Sequence, residues 1–392
     1  MKIAMVIPDF PPIMGGGEIF AYEIAKRLAE KHEIHVITRL PTKAHFNRNN
    51  TSYQKLLAYE FSENIHIHRV KFFDVKDIRL FSSIFPMYFK LLQVIKKYKI
   101  DLIHGVMIFP AAQICALAKI KTKNTFFLTL QGFIIDIVRE DKTIFDLYLG
   151  LLKPLAKFGI KKADFVHCVS NNVMRKALEF YRTNKIKIIP NGVDTKLFSP
   201  DIKTNIRERF NIKKDEILVA TVSRLAPKNG IEYLVKAAKQ ISQKQKNIKF
   251  LIVGGGPLKE KLKDLSSGFE KNIIFTGNIP HDETPKFLAA SDIFVRPSIT
   301  EGFGISFVEA MSCGLPIITT EAVGKLKILR DREHGFIIKS KNVDELVIAL
   351  NKLIQNKSLR NEFGEKARKY AIKHYDWNIV VEEIEKEMLK LI

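Results

Sequence analysis

The chain has 392 residues, enough for two or three domains with substantial cores. With 46% hydrophobic and 27% charged residues it is composed as a globular protein, which excludes a disordered or low-complexity chain. The formal net charge is +22 and both halves are basic, so nucleic acid, anionic membrane and phosphorylated ligands are compatible partners, beside the plainer reading of a lysine-rich solvated surface.

In chain order, Lys2–Pro8 reads as a short buried strand rather than a signal-peptide core. Further strands are expected at Ile34–Thr38, Ile65–Val70, Leu102–His104, Thr125–Leu130, Phe165–Val169 and Ile186–Ile189. Helical patterns fall between them, at Gly17–Lys31, Ser83–Tyr98, Pro110–Lys119, Thr143–Ile160 and Asn171–Tyr181. This alternation predicts a parallel sheet with helices on both faces. Turn formers gather in Asn191–Asp201, the expected linker.

The pattern then restarts. Strands are expected at Ile217–Ser223, Ile248–Val253, Ile273–Phe275, Ile293–Val295 and Pro316–Thr319, with helices at Ile231–Ser242, Pro257–Ser266, Glu283–Ala290 and Ile305–Ser312. Two more helices, about Asp344–Gln355 and Leu359–Tyr375, lead to Asp376-Trp377-Asn378 and a last helix reaching Lys390. Two doubly wound domains are therefore expected, 1–195 and 196–375, with 376–392 packing back on the first. They would face each other with strand C-terminal ends lining a cleft, where such sheets bind ligands. No apolar run of about 18 residues is present, so no membrane-spanning helix is expected. Cys115, Cys168 and Cys313 are far apart, form no zinc pattern and need no disulfide, which suits the cytoplasm.

The run Pro297-Ser298-Ile299-Thr300-Glu301-Gly302-Phe303-Gly304-Ile305-Ser306-Phe307-Val308-Glu309 reads as strand end, glycine turn and helix start. Glu301 lies in the turn. The helix start offers backbone N–H groups and a partial positive charge, and Glu309 stands behind it. A carboxylate for hydroxyls, an anion-binding helix end and a second carboxylate match the order of a nucleotide sugar: sugar, diphosphate, ribose. Gly15-Gly16-Gly17 sits between the first strand and first helix, but Phe20 takes the place of the last glycine in G-x-G-x-x-G, which disfavours a dinucleotide cofactor. His66 and His68 alternate on one strand and read as structural or exposed, not as a metal site.

With these residues in view, the chain resembles the retaining glycosyltransferase family 4. The resemblance rests on six segments in order: Gly15-Gly16-Gly17-Glu18, Pro190-Asn191-Gly192-Val193-Asp194, Ser223-Arg224-Leu225, Val253-Gly254-Gly255-Gly256-Pro257, the Glu301–Glu309 run and Gly314-Leu315-Pro316. It implies an α/β GT-B fold, two facing Rossmann-like domains with a deep interdomain cleft. It also implies a retaining transfer of a hexose from a nucleotide-diphosphate sugar, in cell-surface polysaccharide or glycolipid synthesis. Arg224, Lys228 and Glu301 are the catalytic candidates.

Donor binding is expected from Gly16, Gly17, Arg224, Asn229, Gly254, Gly256, Glu301, Gly302, Phe303, Gly304, Ile305, Ser306 and Glu309. By resemblance, Glu301 holds sugar hydroxyls and Glu309 the ribose, and Arg224 and Lys228 neutralise the leaving diphosphate. The family carries Lys five positions after the Arg, where this chain has Asn229 and displaces lysine to Lys228. No Asp-x-Asp pair is present, and transfer without a metal or other cofactor is expected. On the acceptor side, His104, Gln131 and Asp136 are candidates. Gln131 stands where many family members carry His, and it cannot exchange a proton near neutral pH.

The acceptor is expected to be a glycan or a lipid-linked sugar. Ile78–Ile100 and Leu147–Lys162 mix apolar residues with lysines, which fits either a packed helix or peripheral contact with an anionic membrane at the inner face of the cell membrane. A nucleotide-sugar epimerase of the same fold and a non-catalytic nucleotide-sugar-binding scaffold are the alternatives. No recognised nucleic-acid-binding motif supports a nucleic-acid partner.

Overall fold

The computed structural model describes residues 1–13, 15–43, 46, 55–74, 79–132 and 142–392. They divide into two compact units. The first gathers Met1–Asn191 with Asn378–Ile392, and the second spans Gly192–Trp377.

In the first unit eight strands form one sheet: β1 (Lys2–Val6), β2 (Glu33–Arg39), β3 (Tyr59–Ser62), β4 (Ile65–Val70), β5 (Leu102–Val106), β6 (Thr125–Leu130), β7 (Phe165–Cys168) and β8 (Ile186–Ile188). Their spatial order is β3-β4-β2-β1-β5-β6-β7-β8, and every pair is parallel except β3 with β4. Ile3, Ala4, Met5 and Val6 are all 0% exposed, so the central strand is buried on both faces and reads as a continuous apolar run. Helix Gly16–Leu28 buries Phe20 and Ile24, and helix Ile84–Tyr98 buries Leu91 and Val94. Burying each such large side chain contributes about 1.5–3 kcal/mol. The chain runs from β1 to one side and later returns to β5 on the other, so the order reverses between β1 and β5.

Strand β3 lies outside the strands expected from sequence. It hairpins onto β4 through Glu63 and Asn64, both at positive φ, and three of its four residues are exposed. An edge strand with little buried surface leaves no hydrophobic alternation to read.

The second unit holds β9 (Ile217–Val222), β10 (Ile248–Val253), β11 (Ile273–Gly277), β12 (Ile293–Arg296), β13 (Ile317–Thr320) and β14 (Gly335–Ile338). All pairs are parallel in the order β11-β10-β9-β12-β13-β14. Counted from the first strand this is 3-2-1-4-5-6, the dinucleotide-fold order whose ligands bind where it reverses, here between β9 and β12. Strand β14 was also not expected. It begins at Gly335, where an added Cβ would fall 1.8 Å from the Ile317 carbonyl oxygen.

The last helix, Trp377–Leu389, opens with a buried tryptophan in the second unit. An added Cβ on Gly192 would lie 2.5 Å from the Trp377 ring, so the two chain crossings sit side by side. Beyond it, Glu385 lies 2.7 Å from His32 Nε2 and 3.1 Å from Lys31 Nζ, and Lys187 reaches Glu383 and Glu387. Residues 378–392 therefore pack within the first unit. No helix among the described residues is long and apolar enough to cross a membrane.

Candidate active site

In the second unit, strand β12 ends on Arg296, whose guanidinium is buried. Nε donates to Ser298 Oγ at 3.0 Å and Nη1 to Ser306 Oγ at 2.7 Å. Nη2 pairs with the Glu301 carboxylate. The guanidinium also lies over the Phe307 ring, 4.6 Å from its centroid. Burial lowers Arg296 to about 10, partly opposed by the field of Glu309, so it stays protonated at neutral pH. Nothing in the apolar run Ile293-Phe294-Val295 marked this residue beforehand. The only signal was a charge at the end of a buried strand.

Glu301 Oε1 also accepts from the Gly302 N–H at 2.9 Å. Gly304 has φ +85°, and an added Cβ would come within 2.6 Å of the Phe307 ring and 3.2 Å of the Glu301 carboxyl carbon. That position therefore demands glycine. Helix Ile305–Ser312 follows, as expected, and its first N–H groups have no acceptor within the helix. Phe303 is buried with its ring edge-on to Tyr375, so its side chain anchors the turn. Glu309 is 4% exposed, and its Oε1 lies 2.7 Å from His281 Nε2. His281, in a short turn whose ring tilts against Phe198, was not singled out from sequence.

The loop after β9 packs against this turn. Ile299 N–H donates to the Lys228 carbonyl at 2.7 Å. Gly230 has φ +67°, and an added Cβ would fall 2.0 Å from the Pro297 carbonyl oxygen. Arg224 is exposed. Asn229 is buried and donates from Nδ2 to the Arg224 carbonyl at 2.6 Å, so its side chain braces the loop from inside instead of facing a ligand. Gly254 and Gly256 also approach protein backbone. A Cβ on either would meet the carbonyls of Ser223 or Leu225 at 2.0 and 2.5 Å. Their close approach holds the arginine loop in place. The loop that carries Arg224 and Lys228 thus meets the Glu301 turn through backbone contacts at the β9/β12 reversal.

In the first unit, helix Gly16–Leu28 begins at Gly16, which is exposed, and an added Cβ on Gly17 would meet Met107 Cε at 2.4 Å and Gln131 Cγ at 3.9 Å. The wall beside Gly17 is therefore a methionine at positive φ, just past β5. Gln131 and Asn191 exchange hydrogen bonds between their amides, at 2.9 and 3.2 Å. Asn191 belongs to the Pro190–Asp194 segment and had no assigned role. Glu18, in the first turn of the helix, is pushed up to about 7 by burial and then by Asp9. Asp136 lies outside the described residues.

His104 is corrected. It is fully buried inside β5, not at a strand end, and lines no acceptor surface. Its Nε2 lies 2.8 Å from Thr129 Oγ1, which lies 3.1 Å from His167 Nδ1, and His167 Nε2 donates to the Ile189 carbonyl at 2.6 Å. That last bond fixes the direction of the chain: Thr129 donates to His167, and His104 donates to Thr129. Burial lowers His104 to about 3 and His167 to about 4, so both are neutral links across the sheet.

Glu33, His35 and His66 place possible ligand atoms within 4.8 Å of one another. The two imidazoles are stacked, with centroids 4.5 Å apart and planes 11° apart, so their in-plane lone pairs run side by side instead of converging. Lys2 Nζ also pairs with Glu33 at 2.9 Å. The cluster is a hydrogen-bonded ring stack joined by His68, not a preformed chelate.

Two family models match the chain in succession: Glycosyltransferase Family 4 over residues 14–197 and Glycosyl transferases group 1 over residues 202–370. N-acetyl-alpha-D-glucosaminyl L-malate synthase of Bacillus anthracis is 26% identical over 98% of this chain and 96% of its own. A GDP-mannose-dependent alpha-(1-6)-phosphatidylinositol monomannoside mannosyltransferase of Mycolicibacterium smegmatis is 30% identical over 57% of this chain and 63% of its own. Among solved structures, Anabaena Alr3699/HepE in complex with UDP and glucose superposes with a TM-score of 0.77 at 20% identity, covering 100% of both chains. With both units matched in order and a GT-B fold along its whole length, the chain belongs to the family 4, or group 1, glycosyltransferases.

Proposed function

We propose that this glycosyltransferase moves a hexose from a nucleotide-diphosphate sugar to a glycan or lipid-linked acceptor, with retention of configuration and without a metal. The assembly at the β9/β12 reversal carries the reading: a carboxylate in a glycine turn, a helix start beside it, a carboxylate behind it, and Arg224 and Lys228 on the adjoining loop. Glu301 would hold the sugar hydroxyls. The N–H groups of Ile305 and Ser306 would face the diphosphate, together with Arg224 and Lys228. Glu309, with one oxygen on His281, would accept from the ribose with the other. These cations and helix dipoles balance the leaving charge that a metal would otherwise balance. The complex of the Anabaena protein with UDP and glucose supports a nucleotide-sugar donor.

In the transfer, the bond from the sugar C1 to the diphosphate oxygen breaks. The acceptor oxygen bonds to C1 from the same face, and its proton passes to the leaving phosphate oxygen. Gln131 is an amide and takes no proton, which suits this route. The lipid-linked acceptor draws support from helix Ile84–Tyr98, which exposes Phe85 and Phe89 one turn apart and carries Lys96 and Lys97 near its end. Such a surface fits the inner face of an anionic membrane. The mannosyltransferase relative, named for a phosphatidylinositol monomannoside, points the same way.

The test is nucleotide release from UDP-, GDP- and ADP-sugars, with and without EDTA, using lipid and sugar acceptors. Release that needs an acceptor and survives EDTA, with the product's anomeric configuration retained by NMR, is expected. Absence of release with every donor refutes the reading, and activity that returns only with Mn²⁺ refutes metal independence. Conversion to a second nucleotide sugar without any acceptor would instead identify an epimerase.

A further inference from the structure

We infer that Arg296 is the positioning residue of the donor site, the group that presets Glu301 and the helix start before the sugar arrives. The inference rests on the donor reading above. All three guanidinium nitrogens are engaged, each with a different part of the site: Nε with Ser298 at the strand end, Nη2 with Glu301 in the turn, and Nη1 with Ser306 in the first turn of the helix. The fork therefore spans ten residues of chain and ties three consecutive structural parts to one rigid strand end. The carbonyl of Arg296 is held as well, accepting from Thr319 Oγ1 at 3.0 Å.

A glycine turn needs such a brace. Gly302 and Gly304 flank Phe303, and glycines leave a backbone many conformations to choose from. Ring contacts of Phe303 and Phe307 fix the turn on its apolar side. Arg296 fixes it on the polar side. It also sets the charge balance of Glu301. A carboxylate paired with a buried cation keeps one orientation, so it can accept from sugar hydroxyls without first reorganising. Ser306 is restrained in the same way, because its hydroxyl oxygen accepts from Nη1. Arg296 is buried beneath these groups and acts through them.

Only the planar fork reaches three acceptors at once. Lysine offers a point charge that could keep the Glu301 pair but not both serine bonds. The inference thus predicts a graded series, Arg296→Lys above Arg296→Met, in a property that depends more on the sugar than on the nucleotide, because the helix groups that face the diphosphate are backbone N–H donors while the Glu301 carboxylate is a side chain.

The experiment compares wild type, Arg296→Lys, Arg296→Met, Glu301→Ala and the Arg296→Met/Glu301→Ala double variant. The probes are UDP-glucose, UDP-N-acetylglucosamine and GDP-mannose, with UDP and GDP as sugar-free controls. For the donor that wild type turns over, Arg296→Met should lower kcat by about 10–100-fold, the usual scale for the outer partner of a ligating group. Affinity for the matching nucleoside diphosphate should stay within about threefold, since Glu309 and His281 are untouched, and Arg296→Lys should recover part of kcat. The double variant should turn over no more slowly than Glu301→Ala, as non-additivity requires of residues acting as a unit.

Folded Arg296→Met with wild-type turnover overturns the inference. So does an equal loss of affinity for nucleotide and nucleotide sugar, which marks general disruption. If Arg296→Met does not fold, the lysine variant and Ser306→Ala carry the test, and wild-type kcat in both overturns it. Failure of the donor reading shows separately, as wild type that turns over none of these donors and no ADP-sugar either.

Discussion

The two strand-order reversals of this molecule are built from opposite materials. At β9/β12 the polar groups are charged and tied to each other: Arg296 with Glu301, His281 beside Glu309, Arg224 and Lys228 on the facing loop. At β1/β5 an ion pair, Asp9 with Arg39, lies past β1, but the groups past β5 and β6 are neutral. Two amides pair with each other, a methionine fills the space beside Gly17, and the nearby histidines are buried and uncharged. On the proposed donor and acceptor roles, one topology serves two electrostatic tasks. A region meant for a diphosphate gains from cations, helix ends and fixed carboxylates. A region meant for sugar hydroxyls needs acceptors and donors without net charge.

The contrast breaks first at Glu301. Glu301→Ala should cut turnover on the order of 10²–10³-fold, the scale of one lost transition-state contact. It also strands the buried Arg296, so a thermal melt must accompany the rates. Wild-type rates in the folded variant would remove Glu301 from the site. Glu309→Ala should act next, on affinity: one hydrogen bond to a charged group is worth about 1.5–3 kcal/mol, or roughly 10–100-fold in Kd for the nucleoside diphosphate. Calorimetry with UDP and GDP checks it, and unchanged affinity ends the ribose role. Across the contrast, Gln131→Ala should cost only about 2–10-fold in kcat/KM toward the acceptor, as neutral hydrogen bonds do. A loss as large as that of Glu301→Ala would mean that Gln131 does more than orient a hydroxyl.

How much of this was legible beforehand follows the same divide. The strand-turn-helix around Glu301 could be read because its signals are local: an apolar strand, two glycines and an apolar helix within one short run. The long parallel strands were legible because burial on both faces leaves apolar runs such as Phe250–Val253. Strands β3 and β14 were not, since one is mostly exposed and the other starts at a glycine set by contact with Ile317. Long-range pairings were invisible for a plain reason. Gln131 and Asn191 are 60 residues apart, and His281 and Glu309 are 28 apart. His104 was misread because a histidine in Leu102–His104 resembles a strand end, whereas β5 runs on through Gly105 and Val106. Arg296 was passed over for the opposite reason: its neighbours made the strand so clear that the charge closing it drew no notice.

The smallest expected effect is on stability, at Glu18, an acid of the first unit held far from its ordinary value. Glu18 is raised from 4.5 to about 7 by burial and by the Asp9 carboxylate, while backbone hydrogen bonds at Gly15 and at its own amide pull the other way. Between those two values the folded chain holds a proton that the unfolded chain has released. Stability must therefore fall as pH rises from about 4.5 to about 7, and stay lower above. Glu18→Gln has no proton to lose, so it should match wild type near pH 4.5 and exceed it at pH 8. The full shift corresponds to about 3 kcal/mol. Partial exposure and weaker bonds to the helix N-terminus reduce the expected gain to about 1 kcal/mol. Melting temperatures of the two proteins across this range give the answer. A gap that widens with pH places an unwanted charge beside Gly15 and Asp9, whereas a gap that is constant or reversed means that Arg39 and the backbone N–H groups stabilise the Glu18 carboxylate there.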